Sequence, residues 1–468
     1  MANVGMDYKD RYVLDALVRR DGSSLYGPRE RWHTYYRAAA SYRISQEPWF
    51  GIDLFGELVF RYSIGTAGTR PRFNQQYELW NVSRTGGLPR NSAGNATLKP
   101  QFTREQELGI NSILLGNRLS VELVYAWQKT RDQIIGVPTP TISGFNTAAA
   151  NAGIMSGNTI ELTVNAPRLV DRPDLTVGLT AVFDRSRSKI DHWGRACFYG
   201  HTITSELSNH EYSCSGESRG DFWGQRHALS VGELPSWAQD RASEFQINDE
   251  GYLVWVGEGN DYREGISKNL WGTSAQMGPT TYRWGEPFML VNEMNVPVFV
   301  KMGTSLPDVN FGFTPNVRWK GLGLYAELRG QIGGKIYNRA KQQLYSSTRH
   351  ADLDQSGKPD ELKKTTDYYT RGVRTGSNNR FVLPFIEDGD YLKVGAISAR
   401  YRLTRPQLER FLGSFAPADL SIGVTGRNLF TFTGYSGYDP ESGRTLSRVE
   451  TLGYPQMRTL TATFDITF

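Results

Sequence analysis

A chain of 468 residues with 22% charged residues, a formal net charge of +5 and two cysteines has a mean hydropathy of −0.47. No stretch approaches the roughly 18 consecutive apolar residues of a membrane helix, which excludes a helical membrane protein. Its Lys and Arg residues are dispersed, which sets nucleic-acid binding aside. These averages, with Gly 49, Tyr 24, Phe 22 and Trp 11, suit a wide transmembrane β-barrel, where only alternate strand residues meet lipid and the long loops are wet. Without a Pro/Ser-rich linker, charge block or short repeat, residues 1–468 read as one domain.

A period of two, the mark of strands, recurs along the chain. Ala2 to Met6 reads as the end of a strand, followed by a tight turn from Asp7 to Arg11. Tyr12, Leu14, Ala16 and Val18 then alternate with Val13, Asp15, Leu17 and Arg19, and Leu54, Leu58, Phe60 and Tyr62 alternate with Asp53, Glu57, Arg61 and Ser63. Leu119, Val121, Leu123, Tyr125 and Trp127 oppose Ser120, Glu122 and Gln128, and Ile160, Leu162 and Val164 oppose Glu161, Thr163 and Asn165. Leu175 to Phe183, Val309 to Trp319, Leu322 to Leu328 and Leu420 to Val424 follow the same rule, while the less regular run from Tyr391 to Leu403 predicts a bulge. The last ten residues place Leu460, Ala462, Phe464, Ile466 and Phe468 on one face and Thr459, Thr461, Thr463, Asp465 and Thr467 on the other. In a soluble protein that apolar face needs a second layer, whereas in a barrel the lipid covers it.

The connections alternate in length. Short turns fall at Leu115 to Arg118, Val170 to Asp174 and Lys320 to Gly321, with longer ones at Ser45 to Gly51 and Thr404 to Asp419. Between them lie long connections at Asp21 to Arg31, Ile64 to Phe102, Asp132 to Gly157, Ser188 to Leu306, Lys335 to Asp390 and Thr431 to Gln456. Short periplasmic turns alternating with long extracellular loops identify an all-β, antiparallel outer-membrane barrel of about twelve strands. Met1 falls inside a strand, and an interrupted edge in the bilayer leaves backbone groups without partners, so a truncated barrel is expected.

Several motifs carry a family resemblance. Tyr8-Lys9-Asp10-Arg11-Tyr12 leading into Arg20-Asp21-Gly22-Ser23-Ser24, Gly334-Lys335-Ile336-Tyr337-Asn338, Asp390-Tyr391-Leu392, Gly426-Arg427-Asn428-Leu429-Phe430 with Gly437-Tyr438-Asp439-Pro440-Glu441, and Tyr454-Pro455 resemble the SusC/RagA-type TonB-dependent transporters of the Bacteroidetes outer membrane. That resemblance implies a barrel of about twenty-two strands around a plug, of which this chain matches the C-terminal part, without the signal peptide, plug or early strands. It also implies uptake of glycans or peptides with a SusD-like surface lipoprotein, energy coupling to the TonB complex through the plug, and no cofactor. The terminal Phe464, Ile466 and Phe468 resemble the signal read by the barrel assembly machinery. Two alternatives stand beside this: a siderophore- or cobalamin-type receptor, and a self-contained twelve-stranded passive pore or adhesin.

Candidate functional residues lie mostly in the loops. Trp80, Trp193, Trp223, Trp237, Trp255, Trp271 and Trp284 offer flat faces for sugars or protein interfaces, and the plainer reading is that they hold the loops together. The cluster within the extracellular segment 188–306 makes that segment the candidate for ligand or lipoprotein contact. Cys197 and Cys214 lack zinc-site spacing and suit a loop disulfide, with two free thiols as the alternative. Asp352, Asp354, Ser356 and Asp360 resemble half of a calcium loop, but Lys363 stands at the twelfth position where a bidentate Glu is needed, so a polar turn is preferred. Lumen-face charges, namely Asp15, Arg19, Glu57, Arg61, Glu122, Glu161, Glu327 and Arg329, are expected to form a ladder of ion pairs rather than a solute path. The Asp439-Pro440-Glu441 turn reads as a structural element. The six histidines show no metal spacing, and no nucleophile elbow or phosphate loop marks an enzyme.

Overall fold

The computed structural model describes residues 1–81, 90–194, 197–199, 212–278, 280–366, 368–369, 383–443, 446, 448–450, 452–454 and 456–467. Thirteen strands follow one another as an antiparallel wall in chain order. They are β1 (Ala2–Tyr8), β2 (Tyr12–Gly22), β3 (Trp32–Arg43), β4 (Phe55–Thr69), β5 (Gln101–Leu114), β6 (Leu119–Pro138), β7 (Thr147–Arg172), β8 (Leu175–Trp193), β9 (Val309–Trp319), β10 (Leu322–Ile332), β11 (Tyr391–Thr404), β12 (Asp419–Thr433) and β13 (Thr459–Thr467). The wall is therefore a partial barrel: β1 pairs with β2 and β13 with β12, and the two edges are not joined among the described residues. None of the described helices is long and apolar enough to cross a membrane.

Turn chemistry sets the short connections. Lys9 and Asp10 both take positive φ, and Asp7 Oδ1 accepts the Asp10 N–H at 3.0 Å, a turn whose backbone matches strand twist. Leu115, Gly116 and Asn117 take positive φ between β5 and β6. The turn after β11 contains a helix, Arg405–Leu412, started by the Gln407 side chain accepting from Thr404 N at 2.8 Å.

Two local departures from period two have physical causes. The irregularity expected in Tyr391–Leu403 is a bulge between Val394 and Ala396, with Gly395 at its centre; a Cβ there would stand 2.6 Å from Arg329 Nη1 and 2.9 Å from Glu327 Oε1. The Asp132 to Gly157 segment, expected as a loop, instead continues the β6–β7 hairpin up to the Pro138–Thr147 pair. Register shifts near Gln133 and between Ile190 and His192 break the alternation, so the ladder runs on where the sequence pattern stops. By the same extension β8 reaches Trp193. With 20, 26 and 19 residues, β6, β7 and β8 far exceed the roughly 9–11 residues that span a bilayer.

Above the wall, three connections fuse into one lobe. Asp221–Gly224 pairs with Val300–Thr304, and Lys335–Tyr337 pairs with Ile386–Asp388. One buried cluster takes Phe222, Val254 and Val256 from the first connection, Tyr337, Tyr345, Tyr368, Tyr369 and Phe385 from the second, and Val449 from the third. A second cluster, centred on Phe245, Leu253, Trp255, Tyr282, Trp284 and Phe288, lies within the first connection alone.

Candidate functional site

The inward face of the wall carries the ion-pair ladder. Asp15 meets Arg37 across β2–β3, and Arg43 meets Glu57 across β3–β4 at 3.6 Å. At the far end of the wall, Arg400 binds Asp465 and Arg402 binds Asp419, both at 2.6 Å. Arg19 turns to Asp21 at 2.9 Å. Glu161 stands on this face without an ion pair among the described residues. Each pair is partly exposed, a setting in which single pairs contribute about 0–1 kcal/mol; together they keep the lumen polar without a block of one charge.

A network of partly buried charges forms where the Gly437–Glu441 turn returns to the wall. Lys393 on β11 has a side chain only 8% exposed, and its Nζ donates to Asp439 Oδ1 and Glu441 Oε2, both at 2.7 Å. Arg329 on β10 donates through Nε and Nη2 to the same Glu441 at 2.7 and 3.2 Å, and through Nη1 to Glu327 at 2.7 Å. Asp439 also accepts the Glu441 N–H at 2.9 Å, closing the turn. Burial works against a charged Glu441, but hydrogen bonds from Arg329 and Lys393 prevail and hold its carboxyl below the usual range. Glu450 secures the other side, accepting from Tyr435 Oη at 2.9 Å and from Ala340 N at 3.3 Å.

The tryptophans divide by burial. Trp193, Trp255 and Trp284 are 8%, 5% and 4% exposed, and the Trp255 indole N–H donates to Glu244 at 2.8 Å. Trp255 and Trp284 pack within the lobe's second cluster, whereas Trp193 packs against Ile135 and Ile190 on the extended strands of the wall. Trp237 packs beside Phe288 at 6.2 Å, and Trp223 is half-buried. Trp271, 37% exposed, and Trp80, beneath the Arg90 guanidinium at 5.2 Å, present surface.

The remaining candidates are separate from one another. A disulfide joins Cys197 and Cys214, with Cα atoms 4.6 Å apart. The calcium-like carboxylates turn to different partners: Asp352 to Tyr345, Asp354 to Ser356 N and Oγ at 2.9 and 2.6 Å, and Asp360 to Lys363 at 2.7 Å. They form no joint ligand set, and no group of three or more metal-ligating side chains occurs among the described residues. Phe464 and Ile466 are exposed on the apolar face of β13; Phe468, His201, His210 and Pro455 lie outside the described residues.

A family model described as TonB dependent receptor-like, beta-barrel matches residues 2–263, more than half of the chain. The chain belongs to this TonB-dependent receptor family. TonB-dependent receptor P3 of Formosa agariphila is 23% identical over 492 residues, covering 99% of this chain and 45% of the relative. TonB-dependent receptor SusC of Bacteroides thetaiotaomicron is 24% identical over 188 residues, covering 36% of this chain and 19% of that one. The structure of the RagAB peptide transporter superposes with a TM-score of 0.68 at 20% identity, covering 100% of this chain and 46% of that chain. These similarities agree with the SusC/RagA-type motifs. This chain spans less than half the length of P3 and of the matched RagAB chain.

As a TonB-dependent receptor the chain belongs among outer-membrane proteins whose relatives are receptors, not enzymes. The Lys393–Glu441 hub was not marked from sequence. A signal existed: a lysine on the inward face of β11 and an acidic pair in the Asp-Pro-Glu turn are complementary, but 48 residues separate Lys393 from Glu441.

Proposed function

We propose that this receptor chain supplies wall and surface lobe to a SusC/RagA-type transporter of a Bacteroidetes-like outer membrane, importing glycans or peptides. In this reading a SusD-like surface lipoprotein delivers cargo to the lobe, TonB drives uptake through a plug within the lumen, and the apolar face of β13 serves the barrel assembly machinery. The observation that carries it is the lobe itself. Three long connections share one aromatic core and are tied to the lumen wall through Lys393, Arg329 and Glu441, giving a firm platform above a polar passage. Loops with no partner to hold and no cargo to pass have no need of so large a buried core.

Affinity purification of the receptor from its own outer membrane, followed by mass spectrometry, tests the partnership. A surface lipoprotein in stoichiometric amount is expected, and disruption of the gene is expected to abolish growth on one class of oligosaccharide or peptide. Loss of iron-chelate or cobalamin uptake with no lipoprotein recovered would overturn the reading.

A further inference from the structure

The outward face of β5–β8 changes character within one turn of the pleat. Register places Ile110, Leu123, Leu162 and Phe183 in one apolar row across the four strands. Tyr125 and Trp127 stand next, stacked at 5.4 Å, as an aromatic girdle does at a membrane interface. The runs below, Leu119 to Trp127 on β6 and Leu175 to Phe183 on β8, each supply about nine residues, the length a membrane strand needs. Immediately beyond them the same face turns basic. Arg104, Lys129 and Lys189 share a row with Ser156, Arg187 pairs in register with Asn158, and Arg185 and Arg131 flank them. A concave cavity of about 590 Å³ is bounded by Arg104, Trp127, Lys129, Ser156, Arg187 and Lys189.

Two carboxylates answer this group. Asp191 binds Lys129 at 3.3 Å and Ser156 at 2.8 Å, and Asp308 binds Arg187 at 2.6 Å. Arg104, Arg131, Arg185 and Lys189 are exposed and have no ion pair among the described residues. The patch is local: at comparable height β2 and β3 pair Arg20 with Thr34, and the neighbouring β9 ends in Phe311 and Val309.

We infer that this cavity binds the phosphorylated headgroup of a glycolipid in the outer leaflet. The position decides the occupant. The cavity opens outward, away from the lumen, and begins where the apolar band ends, so the group that reaches it belongs to the lipid whose chains lie on Ile110, Leu123, Leu162 and Phe183. Guanidinium and ammonium groups match phosphate oxygens, the former bidentately, and Ser156 and Asn158 suit sugar hydroxyls. The aromatic pair beneath fixes the depth of the headgroup.

The test uses receptor purified from its outer membrane in detergent, with bisphosphorylated lipid A and its enzymatically dephosphorylated form as probes. Wild type is expected to retain the phosphorylated lipid and to bind the dephosphorylated form weakly. The triple variant Arg104→Gln/Arg185→Gln/Lys189→Gln, which leaves the Asp191 and Asp308 pairs intact, is expected to lose on the order of 100-fold in affinity, at about fivefold per interfacial charge. Arg104→Lys/Arg185→Lys should keep most binding, and Arg20→Gln all of it. Heat-modifiable gel mobility checks folding, and if the triple variant fails that check, Arg104→Gln alone is expected to cost about fivefold. Equal retention of both lipids, unchanged binding by the folded triple variant or by Arg104→Gln, or displacement by millimolar inorganic phosphate, which would mark a free-phosphate site, each overturns the inference.

Discussion

Arg61 on β4 reaches over the whole of β5 to hold Glu122 on β6, with Nη2 and Oε1 2.6 Å apart. Gly109 makes the crossing possible, because it is the β5 residue directly beside Arg61 and a Cβ there would stand 3.2 Å from the guanidinium. Both partners are near 40% exposed, at 38% and 45%, so the pair fixes side-chain geometry more than it stabilises the wall. A double-mutant cycle with Arg61→Ala and Glu122→Ala is expected to give a coupling under about 1 kcal/mol in denaturant unfolding. A coupling of more than about twice that would refute the assignment.

Lys393 is expected to behave differently. Replacing it by Met leaves Asp439 and Glu441 partly buried with one cation fewer, and breaking a buried pair from one side costs about 3–5 kcal/mol. The loss should localise: hydrogen exchange in 435–450 is expected to rise sharply, with β2–β4 unchanged. Uniform protection in the variant would show that the hub does not hold the turn.

The same hub carries a pH dependence with a defined sign. The Glu441 carboxyl titrates below its ordinary value of 4.5 in the folded lobe, so below 4.5 the unfolded chain takes up the proton first. Its contribution is complete above 4.5 and is lost as pH falls through the lower folded value. Proteolytic release of the 435–450 turn by an acid-active protease should therefore increase below pH 4.5 in the wild type, and Glu441→Gln should flatten that dependence.

Gly265 lies against the Trp284 ring so closely that an added Cβ would overlap it. Gly265→Ala is expected to destabilise the lobe by about 1–3 kcal/mol through overpacking, seen as an earlier tryptophan-fluorescence melt with unchanged heat-modifiable mobility of the wall. An unshifted melt would mean that the ring has room to move.

Cys197 and Cys214 should yield no free thiol under non-reducing denaturation and two after reduction. A disulfide closing a loop of this size, with a sequence separation of 17, is worth about 3 kcal/mol in the chain-entropy picture. Mass spectrometry of alkylated, unreduced protein reads this directly, and two alkylated cysteines without reductant would rule the bond out.

Strand identity, face and order were legible in the sequence because each is local. A period of two assigns Leu119 to Trp127 and Thr459 to Thr467 to a wall with one apolar face, turn residues such as Lys9-Asp10 and Leu115-Gly116-Asn117 fix neighbours, and alternating loop lengths fix which end is which. Local pattern also failed locally, at the bulges near Gln133 and His192, where the ladder outlived the alternation. The fate of the loops was a tertiary decision. Nothing near Phe222 in the chain says that it packs in one cluster with Tyr337, Phe385 and Val449, and nothing near Lys393 says that its partners lie in a turn beyond β12. Burial and charge pairing depend on which segments the packed lobe brings together across long separations, and a one-dimensional pattern does not contain those distances.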